Sequence, residues 1–540
     1  MGKRLLLDCT LRDGGYVNDW DFGHDDIIKI YERLCLAGVD VIETGFLDER
    51  RPYDRNRSIM PDTASVRTTF GMAEGRPPMV VGMIDYGTCP VQRIEPCSES
   101  FLDGIRVIFK KQKMHEAMEF CRELKALGYK VFSQLVSITA YSDEDLMELI
   151  GLVNDVKPYA VSMVDTYGLL DPVWLLHYFE ILDSKVSKDI TIGFHAHNNF
   201  QLAYANAMAF LKKDRERDIL VDGTLFGMGK SAGNAPLELL AMYMNDNYKK
   251  SYDVSQMLEA IEENIRPFYA KAPWGYKTFF YLSASNKCHP SYVEYFQSKG
   301  NLSITKLNRL LGMIQPEEKK LLYDKDLAES IYRKYVNEDL DDNESLEKLK
   351  KVCAGREILL IGPGKNIRLQ GDKVERFLKE HDCVSISFNY IPENIKPDYV
   401  FITKAGRYHE LTGTLHENPD IGVIATTNLE PLSKAFDMSF GREPLLELKE
   451  AITDNPFLMM LKILRRADIR KVNCAGLDGY SDTEENYVNP GMEYDFVRAE
   501  AQHLNRYIRD VLAESYADMD IEFITFSHYN KTEDIDSGSF

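Results

Sequence analysis

Eight short runs rich in β-branched and apolar residues, separated by helical patterns, are the feature that most constrains the fold of the first 245 residues. The runs are Arg4–Cys9, Val39–Thr44, Met79–Ile84, Ile105–Phe109, Lys130–Val136, Tyr159–Val164, Ile190–His195 and Ile219–Leu225. Between the first two runs, apolar residues recur at the i, i+3, i+4, i+7 spacing of an amphipathic helix: Ile27, Ile30, Tyr31 and Leu34. Eight strands alternating with helices predict an α/β fold that begins with a (β/α)8 TIM barrel, because an open doubly wound sheet usually stops at five or six strands.

Two histidines at the end of the seventh run predict a metal site. His195 and His197 are two residues apart, so in a strand their side chains lie on one face. The parallel strands of a barrel all end on one rim, where Asp13, which follows the first run, would be separated from the histidines by a single strand. The rim would also carry the carboxylates of Glu43 and Asp165. Oxygen and imidazole ligands without thiolate favour Mn²⁺, Mg²⁺ or Fe²⁺-like ions over structural Zn²⁺. We expect Mn²⁺, with Mg²⁺, Co²⁺ and Zn²⁺ as alternatives.

Composition excludes several classes of partner. The formal net charge of −20 is unfavourable for binding nucleic acid, which requires concentrated Lys and Arg. We find no run of 18 apolar residues and no signal-peptide core, so we expect neither membrane insertion nor secretion. The nine cysteines are scattered and include no C-x-x-C pair, which favours reduced thiols and a cytoplasmic location.

Three motifs together resemble the DRE-TIM metallolyases, and within them the 4-hydroxy-2-oxovalerate aldolases and the related HMG-CoA lyase-like proteins. The motifs are Thr10-Leu11-Arg12-Asp13-Gly14, His195-Ala196-His197 and the segment from Asp222 to Glu238, and the likeness covers residues 1–290. The resemblance implies that Asp13, His195 and His197 hold a divalent metal. It also implies that Asn234 lies beside the metal or ligates it, and that Arg12 steadies the enolate or carboxylate of a pyruvate-like group.

The general base is the point at which this chain departs from the aldolase pattern. Tyr16 occupies the place of the histidine that is the proposed base of those aldolases. A phenol with an ordinary pKa near 10 is a weak base at neutral pH, so Tyr16 is predicted to orient the substrate unless the site lowers its pKa. Glu43 is the other candidate base. The alternative is a structural role, in which the Glu43 carboxylate accepts a hydrogen bond from Arg12.

Further residues are predicted to bind the substrate. Lys230 lies in the loop after the eighth run and is a candidate contact for an anionic substrate group, although a solvated loop lysine is the more common case. Family aldolases have a Gly-Tyr segment past the barrel, which makes Tyr276 and Tyr281 candidate substrate contacts.

The predicted reaction is the formation or cleavage of a carbon–carbon bond next to a 2-oxo acid, with an aldehyde as the second substrate. Gly15 after Arg-Asp-Gly and the loop Gly-Met-Gly-Lys-Ser-Ala-Gly-Asn favour aldol chemistry over the acyl-CoA-dependent Claisen condensation of isopropylmalate synthases. Two alternatives stay open: such a condensing enzyme, and a catalytically silent barrel that serves as a ligand-binding scaffold. The sequence is compatible with a homo-oligomer.

The second half of the chain predicts a different domain. Residues 291–352 are expected to form a helical extension followed by an acidic linker at residues 337–351, and residues 353–540 a Rossmann-like α/β domain. Gly362, Gly364 and Lys365 follow a buried strand run and are a candidate phosphate-binding turn. The domain loosely resembles those of bacterial surface-glycan enzymes, which implies a nucleotide-linked sugar or phosphorylated ligand and a role in polysaccharide biosynthesis.

Overall fold

The computed structural model describes residues 2–213, 216–299, 302–320, 323–338, 341–432, 435–447, 453–493 and 496–530. The chain divides into two compact units. The first comprises Met1–Pro290 and Lys320–Leu322, and the second comprises Ser291–Lys319 and Tyr323–Phe540. Within the described ranges, a helix with the length and apolarity needed to cross a membrane is not found.

Eight parallel strands close the first unit into a barrel, which confirms the predicted fold. They are β1 (Arg4–Asp8), β2 (Val41–Leu47), β3 (Met79–Asp85), β4 (Gly104–Phe109), β5 (Lys130–Leu135), β6 (Ala160–Asp165), β7 (Thr191–Ala196) and β8 (Ile219–Gly223). Each strand pairs with its neighbours in chain order, and β1 pairs with both β8 and β2 to complete the circle. A short strand, Ile59–Met60, adds to β2.

Helices cover the outside of the barrel. They are His24–Leu36, Thr63–Phe70, Met114–Ala126, Asp143–Val156, Pro172–Lys185, Ala203–Leu211 and Leu237–Tyr248. Between β3 and β4 the connection has two 3₁₀ turns instead, Val91–Arg93 and Cys97–Glu99. The helix predicted from the spacing of Ile27, Ile30, Tyr31 and Leu34 is confirmed, since His24–Leu36 buries all four side chains. The chain continues with Val254–Ala260, the π-helical turn Ile261–Ile265, Arg266–Lys271 and Thr278–Ser285.

The interior of the barrel changes from apolar to polar along the strands. Alternate strand residues point inward, and the apolar ones form one cluster: Leu7, Cys9, Val41, Met79, Val81, Phe132, Ala160 and Leu220. Two positions further along four of these strands the residues are polar and fully buried: Glu43, Gln134, Ser162 and Asp222. Polar groups this deep need partners. The polar layer therefore lies toward the carboxyl ends of the strands, where sites of this fold are built.

The second unit begins with helices. Its helices are Pro290–Ser298, Ile304–Gly312, Lys325–Glu338, Asn343–Cys353, Asn366–Leu369, Gly371–Glu380, Ala405–Glu417, Pro456–Arg466, Phe496–Ala499 and Ala501–Ser515. Much of the segment predicted to be an acidic linker is helical instead. Residues 339 and 340 of that segment lie outside the described residues. Residues 343–351 belong to a helix that buries Leu349 and Cys353 in the core of this unit. Because most residues of the segment are charged, the sequence does not reveal this apolar stripe. The burial of the stripe holds the helix against the rest of the unit.

A seven-stranded, all-parallel sheet forms the centre of the second unit, so the predicted second α/β sheet is present. Its strands are β9 (Glu357–Ile361), β10 (Cys383–Phe388), β11 (Tyr399–Ile402), β12 (Gly422–Thr426), β13 (Met438–Phe440), β14 (Lys471–Ala475) and β15 (Asp520–Phe523). The spatial order is β13-β12-β11-β10-β9-β14-β15. The order reverses between β9 and β14, and such a reversal opens a crevice at the carboxyl ends of the two strands.

Candidate metal centre

Asp13, His195 and His197 converge at the carboxyl end of the barrel. His195 lies in β7 and His197 directly after it, whereas Asp13 ends the helical turn Thr10–Asp13 that follows β1. Asp13 Oδ2 is 3.5 Å from His195 Nε2 and 4.0 Å from His197 Nε2. One donor atom from each of the three buried side chains lies within 4.8 Å of the other two. The structure thus brings together the three residues that the sequence grouped.

The electrostatics of Asp13 and His197 suit a cation, whereas at His195 the Asp13 and Asp222 carboxylates outweigh burial and raise the pKa of the imidazole. Burial alone would raise the pKa of Asp13, but Arg12 and the two histidines outweigh it and hold that pKa well below its usual value. Burial lowers the pKa of His197 to about 3, so this imidazole is neutral near pH 7. An ionised carboxylate and a neutral imidazole are the protonation states that metal ligation requires.

Asp222 orients His195, a role that the sequence analysis did not assign. His195 Nδ1 lies 3.0 Å from Asp222 Oδ2, which leaves Nε2 directed toward Asp13. His195 Nε2 is buried and has no hydrogen-bond partner among the described residues. A carboxylate behind a histidine is the usual way in which a ligating imidazole is held in place. The donor set, with its unpartnered imidazole nitrogen, therefore fits a divalent ion.

Arg106 links the carboxylates around the triad and is also new from the structure. Its guanidinium contacts Asp222, lies 3.0 Å from Glu43 Oε2, and donates to Gln134 Oε1 at 3.0 Å. The side chain is completely buried. The sequence did contain a signal for this role, since Arg106 is the charged residue in the otherwise apolar strand β4. A charge in a buried strand is tolerated only when it is paired.

A second grouping of possible ligand atoms, Cys9 with His195 and Asp222, fits a metal less well. Burial raises the pKa of the Cys9 thiol well above its usual value, whereas the thiolate is the form that binds metals. The thiol lies 3.4 Å from the Gly223 carbonyl oxygen, to which it donates. Cys9 is therefore better described as part of the barrel core.

Arg12 is clamped between two carboxylates. Its Nε donates to Glu43 Oε2 at 2.8 Å, and its Nη1 contacts Asp13 Oδ2. Glu43 lies in the middle of β2 and not at its end, and it is fully buried. Both Arg12 and Arg106 contact the Glu43 carboxylate. Glu43 therefore has the hydrogen bond from Arg12 that was the alternative to a role as general base. The other predicted rim carboxylate, Asp165, accepts the backbone N–H groups of Leu169 and Leu170.

Tyr16 and Lys230 lie together next to the triad. Lys230 Nζ is 5.5 Å from the centre of the Tyr16 ring. Desolvation of the phenol, assisted by the Asp13 carboxylate, raises the pKa of Tyr16 to about 12, although 44% of the residue is exposed. Burial lowers the pKa of Lys230, and Asp13 opposes that shift only in part. The site therefore makes Tyr16 a weaker acid, and so keeps it protonated, instead of preparing it as a base.

The loop after β8 reaches back over Asp13. Asn234 Nδ2 and the backbone N–H of Lys230 donate to Asp13 Oδ1 at 2.8 and 3.0 Å, and Asn234 Oδ1 is buried without a partner among the described residues. A Cβ on Gly229 would lie 2.6 Å from Asp13 Oδ1, so a glycine is needed for this approach. Trp274 Nε1 donates to the Phe226 carbonyl oxygen at 2.9 Å and so supports the loop.

The two tyrosines predicted to contact substrate lie at the surface. Tyr276 is 59% exposed and Tyr281 is 45% exposed. The Tyr281 ring lies 6.0 Å from that of Phe200, just beyond the histidine motif. Their contact with a substrate stays a prediction.

The predicted phosphate-binding turn of the second unit is closely packed. A Cβ on Gly362 would lie 2.3 Å from the Gly476 carbonyl oxygen, and one on Gly364 would lie 2.5 Å from the Asp478 carboxyl carbon. Lys365 Nζ forms an ion pair with Glu484. The two glycines are thus explained by packing, and phosphate binding stays a prediction.

Comparison with known proteins gives one family match and several relatives. Residues 4–263 match the sequence model of the family described as HMGL-like. An oxaloacetate decarboxylase of Mycobacterium tuberculosis is 26% identical over 48% of this chain and 76% of its own length. A 4-hydroxy-2-oxovalerate aldolase 2 of Salinispora arenicola is 29% identical over 44% of this chain and 68% of its own length. A 2-isopropylmalate synthase of Sulfolobus acidocaldarius is 26% identical over 44% of this chain and 61% of its own length.

Proposed function

Since residues 4–263 form an HMGL-like domain, in agreement with the motifs of the sequence, we propose that the first unit is a divalent-metal-dependent aldolase or lyase. It would form or cleave a carbon–carbon bond next to a 2-oxo acid, with an aldehyde as the second substrate. The observation that supports this most is the buried triad of Asp13, His195 and His197 beside a guanidinium. The oxygen and imidazole donors favour Mn²⁺, with Mg²⁺, Co²⁺ and Zn²⁺ as alternatives.

The residues around the triad suit an enolate-forming reaction. A bound divalent ion would supply Lewis acidity to the carbonyl oxygen of a 2-oxo acid. Arg12 would add a fixed positive charge at the same place, since Glu43 and Asp13 hold its guanidinium in one orientation. Preorganised charge of this kind stabilises the negative oxygen that develops when the bond breaks.

The roles proposed for Tyr16, Lys230 and Glu43 differ from the aldolase pattern, because none of the three is proposed as the general base. Because its pKa is raised to about 12, Tyr16 would donate a hydrogen bond to the substrate and keep its proton. Lys230 would meet an anionic substrate group across the Tyr16 ring, and the negative charge of that group would oppose the lowering of the Lys230 pKa by burial. Glu43 would act as a positioning residue for Arg12.

For the second unit we propose a ligand-binding role. A nucleotide-linked sugar or another phosphorylated ligand would bind near Gly362, Gly364 and Lys365. Such a ligand would connect the barrel reaction with sugar chemistry in the cytoplasm, for example in surface-polysaccharide biosynthesis. Support comes from the parallel sheet, whose order reverses next to this turn.

Acyl-CoA-dependent condensation is the second candidate, because a 2-isopropylmalate synthase is among the relatives. To separate the two reactions, metal-stripped full-length protein is reloaded with Mn²⁺ and incubated with 4-hydroxy-2-oxovalerate, or with pyruvate and a mixture of aldehydes. We expect pyruvate release or aldol products by mass spectrometry, only with metal. Free thiol from acetyl-CoA with a 2-oxo acid would instead indicate condensation. Binding of 2-oxo acids without turnover in any assay would contradict both and support a scaffold.

Replacing Asp222 with asparagine is expected to weaken metal binding by about 10- to 100-fold, because His195 loses the carboxylate that orients it. The affinity is measured by competition with a chromogenic chelator. The matched control is Asp155→Asn, which changes an exposed carboxylate paired with Arg122. Equal metal affinity for both variants would contradict the proposal that Asp222 orients His195 for metal binding.

A further inference from the structure

The second unit contains a cavity at the point where its strand order reverses. Strands β10 to β13 lie on one side of β9, and β14 and β15 lie on the other. The cavity has a volume of about 890 Å³ with its open mouth included, and the segments after β9 and β14, such as Gly364 and residues 476–480, line it. Small ligands of open parallel sheets bind in this crevice, at the carboxyl ends of the strands on either side of the reversal.

Asp478 provides an unused acceptor in the wall of this cavity. The residue lines the cavity and is only 6% exposed. Its Oδ2 accepts the backbone N–H of Asn366 at 2.8 Å. Its Oδ1 is buried and has no hydrogen-bond partner among the described residues. A buried carboxylate oxygen without a donor is unfavourable, so the fold maintains an acceptor that a ligand can satisfy.

The cavity's charged groups are balanced. Lys404 Nζ lies 3.6 Å from the Asp454 carboxylate. Arg407 donates to Glu410 at 2.8 Å and to the Gly491 carbonyl oxygen at 3.3 Å. Each cation is therefore already beside an acceptor, which disfavours a ligand held mainly by its negative charge.

Five of the residues that line the cavity carry aromatic rings. The rings are those of Phe388, Phe457, Tyr480, Tyr487 and Tyr529. Flat apolar faces next to one buried acceptor suit a ring that has an apolar face and hydroxyl groups at its edge.

We propose that this cavity binds the hydroxyl-bearing ring of a sugar or a nucleoside, with Asp478 Oδ1 accepting a ring hydroxyl. This inference rests on the proposed ligand-binding role of the second unit and narrows the ligand to its sugar or nucleoside part. The nearby donors support it. Lys365 is paired with Glu484 and the Asn366 N–H with Asp478, so the cavity offers an acceptor to a ligand that supplies donors.

The test is isothermal titration calorimetry of the full-length protein with uridine, glucose, uridine monophosphate and inorganic phosphate. We expect uridine or glucose to bind, and the one that binds identifies the source of the ring. Asp478→Asn should lower that affinity by about tenfold or more, since it weakens a hydrogen bond to a buried charge. Asp482→Asn, a change in an exposed carboxylate of the same loop, should leave it unchanged.

A second variant tests the location independently of Asp478. Met492 lines the cavity and is partly exposed, so Met492→Trp should obstruct the cavity and abolish binding, with thermal unfolding as the check on folding. If only phosphate binds, with equal affinity in Asp478→Asn, the ring proposal is wrong and the phosphorylated-ligand role stands. If none of the four compounds binds, both are wrong.

Discussion

His195→Gln is expected to yield a folded protein that retains no divalent metal after dialysis and has lost about three orders of magnitude of metal-dependent turnover. His195 Nε2 is the buried, unpartnered donor atom opposite Asp13, and the amide of glutamine is a much weaker ligand. Metal content is measured by elemental mass spectrometry, and turnover is measured as pyruvate released or consumed.

His115→Gln is the matched control for this experiment. His115 is an exposed histidine on the helix Met114–Ala126 and pairs with Glu148 at 2.8 Å. Its replacement should change neither metal content nor turnover. A His195→Gln protein that binds metal and turns over substrate like the unmodified protein would contradict the proposed centre.

Arg106→Met should lower the free energy of unfolding of the barrel by about 3–5 kcal/mol, the largest stability effect that we expect of a single substitution. Methionine fills similar space but leaves the carboxylates of Glu43 and Asp222 without the guanidinium that lies between them. Both carboxylates are fully buried, so water cannot replace the lost partner. Urea unfolding followed by far-UV circular dichroism measures the change.

Arg122→Met provides the comparison, because it removes an arginine that also contacts two carboxylates but is 46% exposed. Exposed ion pairs contribute little to stability, so we expect a much smaller loss of stability for Arg122→Met than for Arg106→Met. Equal effects of the two substitutions would indicate that the buried network does not stabilise the barrel.

The alternation of strands and helices was sufficient to predict the barrel, because each strand run and each helical period depends on residues close in sequence. The same patterns missed the helix Asn343–Cys353. There the buried stripe containing Leu349 and Cys353 is hidden among charged residues, and only its packing in the second unit distinguishes it from a linker.

The site was predictable in part. Closed parallel barrels bring strand ends together, so the grouping of Asp13 with His195 and His197 follows from topology and spacing. Tyr16 could be located in the same way, but its pKa could not, because desolvation and the nearby Asp13 carboxylate raise it. Both effects depend on which atoms surround the hydroxyl.

The sequence by itself determined the barrel, the likeness of residues 4–263 to the HMGL-like family and the grouping of the three side chains of the candidate metal centre. Local periodicity and short motifs contain that information. Only the tertiary structure decided that Arg106 joins Glu43 to Asp222, that Asp222 orients His195, and that Asp478 has an unpaired oxygen in a cavity of the second unit. These contacts join strands and loops far apart in the chain, and their partners are selected by packing and by the need to satisfy buried charge.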